Sequence, residues 1–228
     1  MQRYNMFYQV HKGLRQMLYN TAAKMLQTDF INAKETAGLM EQVSEVLDLF
    51  DGHAQTEDRF VLPSITAIEP SAANAFEEEH IEDHALSNRL RALLNMFHHA
   101  VSTEEKNEMG SAIRLAFTEF LVFNLKHMAK EESFLNNILW NHYTDEQLHG
   151  ITATIMANLP QDKIKKNQLW MMRALSNHEI AEWLNMVKKE APEFAFNALV
   201  ALAEKELPTH RWDIIRKNIA ADFLLATA

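Results

Sequence analysis

His80 and His84 stand four residues apart in FEEEHIEDHALSNRLRALL, residues 76–94, a stretch whose composition suits a helix. On a helix, that spacing stacks two imidazoles on one face, a turn apart. Such a pair beside an apolar stripe is either a hydrogen-bonded pair of core histidines or two nitrogen donors to a metal that needs further donors from elsewhere in the chain. The same step recurs twice with a carboxylate, in His53/Glu57 and His127/Glu131, and His11 stands alone near the start. Imidazole nitrogens and carboxylate oxygens are donors for transition metals. The chain has no cysteine, which excludes thiolate ligands, and its 11 histidines make a nitrogen-based site feasible.

The elements that must position these residues read as helices. From Tyr4 to about Leu26, Phe7, His11, Leu14 and Leu18 fall in one stripe. A second helix, from about Lys34 to Leu62, has Leu39, Val43, Val46, Phe50, His53, Glu57 and Phe60 on one face, and Pro63 should bend or end it. Ser71 is expected to cap a third helix that carries His80 and His84 and runs to about Ala100. Ser102 and Glu105 form a capping-box pattern before a fourth, with Gly110 expected to mark an irregularity near its start. Its face reads Ile113, Phe117, Phe120, Asn124, His127, Glu131, Phe134 and Ile138. Polar donor residues thus replace apolar ones in mid-stripe on every helix.

Antiparallel helices joined in order bring two positions to one height only when the turn falls midway between them, because each rises about 1.5 Å per residue. The midpoint between His11 and the His53/Glu57 pair is at about residue 33, in the first expected turn. The next two midpoints fall at about residues 68 and 105, beside Glu69–Pro70 and at the Ser102 cap. Five imidazoles and two carboxylates therefore meet at one level of a bundle interior. Each unsatisfied buried polar group costs about 1–3 kcal/mol. A hydrogen-bonded network would offset part of that cost, and a cation offsets more by neutralising the buried carboxylates.

The chain of 228 residues can bury a core unaided, and its 5 Gly and 5 Pro show no strand-and-turn rhythm, so the expected class is all-α. A net charge of −9 argues against nucleic acid or an anionic membrane as partner. No apolar run approaches a membrane span and no signal segment opens the chain, so a soluble, cytoplasmic protein is expected.

The order H, HxxxE, HxxxH, HxxxE on four successive helices resembles the hemerythrin family, in particular bacterial hemerythrin-like (HHE cation-binding) domains, over about residues 1–143. The resemblance implies an up-down-up-down four-helix bundle (residues 1–143), with residues 144–228 as a C-terminal helical extension. It implies two iron ions joined by an oxo or hydroxo group. His80, His84 and His127 would hold one, His11 and His53 the other, and Glu57 and Glu131 would bridge them. Glu132 stands where the invertebrate oxygen carriers place a bridging aspartate, five residues after the histidine, but the inward stripe favours Glu131. On this count the open position belongs to the His11/His53 iron, where dioxygen, nitric oxide or peroxide would bind. Sensing, carriage or iron handling is the expected role. The alternatives are an enzyme reducing peroxide or nitric oxide, and an interaction module with a structural metal or polar cluster.

The remaining candidates are set aside. His178 and Glu182 repeat HxxxE, but Ser176 caps their helix and puts His178 in its exposed first turn. His98, His99, His142, His149 and His210 read as surface or helix-end residues, and Met171 and Met172 as core filler. Tyr4 and Tyr8 are within reach of His11, where packing and hydrogen bonding near the site are equally open.

Overall fold

A computed structural model describes the backbone of residues 3–225 and the side chains of residues 3–219. Positions 1–2 and 226–228, at the outer limits of the two expected domains, lie outside the described residues. The protein is all-α, and no strand occurs among the described residues. Four long helices, α1 (Tyr8–Gln27), α2 (Ala33–Phe60), α4 (Pro70–His99) and α5 (Thr103–Lys130), carry the candidate ligands up to His127, and α3 (Leu62–Thr66) is a single turn between α2 and α4. A π-helical turn, Glu131–Leu135, continues α5 into α6 (Asn136–His142). The rest is α7 (Asp145–Asn158), α8 (Gln161–Ala174), α9 (Asn177–Glu190), α10 (Glu193–Glu206) and α11 (Thr209–Leu225).

Local chemistry sets most of these boundaries. The Asn32 side chain accepts from the backbone N–H groups of Lys34 and Glu35 and starts α2. Complete capping boxes open α5 (Ser102/Glu105), α7 (Thr144/Gln147) and α9 (Ser176/Glu179), satisfying N–H groups that have no partner inside a helix. Ser71 does not cap α4. The helix begins two residues earlier than that cap would place it, with Pro70 as its first residue and Glu69 before it, because proline lacks the N–H that a cap would satisfy. Gly110 marks no irregularity either. It lies within regular α5, where a Cβ would enter the van der Waals envelope of the Phe30 ring.

By contact the chain divides into two units, Met1–Tyr8 with Met17–Lys163 and Gln9–Gln16 with Ile164–Ala228. In the first, α2 packs on α4 and α4 on α5. Phe50 and Phe120 meet edge to face at 5.3 Å. A second apolar cluster gathers Phe7, Leu62, Ile65, Phe76, Leu135 and Leu139. Buried Leu148 of α7 belongs to that cluster, so α7 packs with the first unit although it follows residue 143. Arg3 holds the same end together. It donates to Asp145 Oδ1 (2.6 Å) and to the carbonyls of Trp140 (2.7 Å) and Tyr143 (2.6 Å). Tyr4 is committed here too, pairing its hydroxyl with Thr152 at 3.0 Å and stacking on His149.

The second unit has its own core, in which Met172, Leu184, Leu199, Trp212 and Ile215 are buried. Gly13 lets α1 and α8 approach closely, since a Cβ there would lie 2.9 Å from the backbone nitrogen of Met171. Lys12 and Glu179 pair at 2.7 Å in the same unit.

Candidate metal centre

The inward stripe of α2 ends in His53 and Glu57, one turn apart. Glu57 is buried, and its Oε1 lies 3.2 Å from His53 Nε2. Its Oε2 lies 3.5 Å from Nε2 of His80 on α4. On α5, His127 Nε2 is 3.2 Å from His80 Nε2 and 3.2 Å from Oε1 of Glu131. Glu57, His80, His127 and Glu131 form one group whose donor atoms all lie within 4.8 Å of one another. A second group, within the same limit, comprises Glu57 and Glu131 again with His53 and His11, the last fully buried on the unbroken helix α1.

Six of the seven residues named from the sequence thus fall into two groups that share two carboxylates. His84 falls into neither. Its ring is 40 % exposed and its Nδ1 lies 3.2 Å from Asp51 Oδ1. The buried face of α4 runs Phe76, His80, Asp83, Ser87, Leu90 and Leu94. Its step after His80 is three residues, so the interior position goes to Asp83 and His84 is rotated outward. Asp83 accepts a 2.6 Å hydrogen bond from Asn124, and its burial, eased by that bond, pushes its carboxyl above the usual range.

The glutamate that joins both groups is Glu131, 1 % exposed, and not Glu132. It begins the π turn, in which the Asn136 N–H donates to the Glu131 carbonyl five residues back. The wider turn moves the interior position from Phe134, which is 49 % exposed, to Leu135, which is buried. His178 and Glu182 pair on an exposed helix face at 3.1 Å, as expected of surface residues.

The outer nitrogens of two histidines face carboxylates that stripe periodicity alone does not single out. His80 Nδ1 lies 2.6 Å from Asp58, and His127 Nδ1 lies 2.8 Å from Glu79, which Lys130 also grips. Phe123 stacks on the His127 ring and Phe76 packs at 5.6 Å from it. Burial opposes charging His80, yet Glu57 and Asp58 outweigh it and raise its pKa from 6.5 to about 9. His127 is raised too, with burial overcome by Glu131, Glu57 and Glu79. Glu79 is itself lowered, because Lys130 and His127 outweigh its burial.

In the metal-free protein these raised values are stability. A group whose folded pKa exceeds its unfolded one stabilises fully below the unfolded value and loses that contribution as pH rises through the folded one. Thermal melts of metal-free protein are therefore expected to drop between pH 6.5 and about 9, by about 3 kcal/mol from His80 alone. Metal-loaded protein is expected to show no such drop, because a cation competes with those protons. A metal-free melting temperature that rises over this range contradicts the geometry.

An all-helical protein with paired His/carboxylate groups at one level defines a class of candidate metal-binding bundles. The chain matches the hemerythrin HHE cation binding domain over residues 2–139, and it belongs to that family. It is also similar to F-box/LRR-repeat protein 5 of Xenopus tropicalis, at 22 % identity over 184 residues that cover 78 % of this chain and 26 % of that protein. It thus spans about a quarter of that relative's length. No solved structure matches it.

Proposed function

We propose that the protein holds two iron ions, one on His80 and His127 and the other on His11 and His53, with Glu57 and Glu131 shared by both. The observation that carries this reading is the 3.2 Å approach of the His80 and His127 Nε2 atoms while each Nδ1 faces a carboxylate. A neutral imidazole has one N–H. With both N–H groups directed at Asp58 and Glu79, the two inner lone pairs face each other and repel unless something positive lies between them or beside them. A proton meets that need in the metal-free protein, and a cation meets it with the adjoining carboxylates as well. The donor set therefore fits the metal.

When bound, a ferrous pair supplies positions for dioxygen or a related small molecule, together with the electrons to bind it. The chain's own residues set how many positions remain. Two imidazoles and two shared carboxylates give each cation four protein partners, fewer than the six of octahedral coordination. With His84 outside both groups, neither ion would have its partners filled by these side chains alone. No helix among the described residues is long and apolar enough to cross a membrane.

The function supported best is binding of dioxygen, nitric oxide or peroxide by a cytoplasmic protein for sensing, carriage or iron handling. Protein reconstituted anaerobically with ferrous iron is expected to hold two ions per chain and to form an adduct with dioxygen or nitric oxide that reverses when the gas is removed. Sustained catalytic consumption of peroxide or nitric oxide would favour an enzyme, and failure to retain iron would end the reading.

A further inference from the structure

We propose that Asp58 and Glu79 are positioning residues that fix the ring orientation and tautomer of His80 and His127, and so set the affinity for the cation between those two imidazoles. This rests on the metal-centre reading above. Each carboxylate sits next to a ligand on its own helix and reaches the histidine of the following long helix. Asp58 follows Glu57 on α2 and meets His80 of α4 at 2.6 Å; Glu79 precedes His80 on α4 and meets His127 of α5 at 2.8 Å.

An imidazole free to rotate about its last torsion presents either nitrogen inward and carries its proton on either. A carboxylate at Nδ1 removes that freedom. The N–H points outward, the Nε2 lone pair points inward, and the ring becomes a stronger donor. Lys130 anchors Glu79 from the solvent side. Without these partners, ordering the rings would be a cost of every binding event. The pairs are not ordinary surface ion pairs, because both rings are buried, with side chains 4 % and 5 % exposed, while Asp58 and Glu79 are more open at 41 % and 20 %. The partly solvated groups reach toward the buried ones.

The test uses Asp58→Asn and Glu79→Gln in the full chain, with ferrous iron titrated anaerobically against a chelator. Each variant is expected to lose about 10–100-fold in iron affinity. Circular dichroism melts of the metal-free variants confirm that they fold. In zinc-loaded protein, which is diamagnetic, nitrogen NMR is expected to show slowly exchanging Nδ1–H groups on His80 and His127. Asp58→Asn should lose that protection only at His80, and Glu79→Gln only at His127, a change that a purely structural role would not produce. Affinities within threefold of the parent chain, with both N–H groups still protected, overturn the assignment. If the parent chain binds neither iron nor zinc, the metal-centre reading falls and this assignment falls with it.

Discussion

Replacing Glu57 by glutamine is expected to leave a folded protein that retains neither iron ion under conditions in which the parent chain holds two. Glu57 belongs to both donor groups and lies 3.2 Å from His53 Nε2 and 3.5 Å from His80 Nε2. A glutamine offers one neutral oxygen where two anionic ones stood, so each cation loses an anionic partner in a buried setting. Removing one partner of a buried charged pair costs about 3–5 kcal/mol, on the order of a thousandfold in affinity. Glu131→Gln should behave alike, because Glu131 also belongs to both groups. Elemental analysis after desalting measures the outcome. Two retained ions in either variant would show that these carboxylates do not bridge.

The second large effect is a contrast between neighbours. His80→Leu is expected to leave at most one ion, because it removes one of the two imidazoles on that side and exposes the buried Glu57 carboxylate to an apolar chain. His84→Leu is expected to retain two. The His84 ring is half exposed, and its partner Asp51 keeps a 2.7 Å bond to Arg91. The loss is that of a surface pair, below about 1 kcal/mol. Iron content and melting temperature of the two variants decide it. Loss of iron from His84→Leu would restore the three-histidine arrangement implied by the family pattern.

That contrast also shows what the sequence could convey. On α2 and α5 the apolar stripe runs in steps of four and three through His53/Glu57 and His127, and both helices turn those residues inward. On α4 the HxxxH spacing pairs His84 with His80 but carries no phase. The stripe rule applied to α4 itself leads from Phe76 through His80 to Asp83, Ser87, Leu90 and Leu94, the face that is buried. Spacing within a motif says that two side chains share a helix side. Only the phase of the surrounding apolar residues says which of them faces in.

Other features had weaker signals. The π turn adds one residue to a turn, and no composition rule marks it. Its effect is visible in the outward Phe134 and the buried Leu135. The ligand residues stop near position 131, and no local sequence signal marks that Leu148 of α7 joins the apolar cluster of the first unit or that Arg3 reaches Asp145. Asp58 and Glu79 look like ordinary charged residues of a helix surface. Their role depends on which ring of a neighbouring helix they reach, and that is settled by packing and not by periodicity.

The most direct test is anomalous diffraction at the iron edge from crystals of anaerobically reconstituted protein. Two peaks per chain are expected, one in contact with His80 and His127, the other with His11 and His53, and both with Glu57 and Glu131. A single peak, a peak on His84 and Asp51, or no peak among these six side chains would contradict a shared two-metal centre.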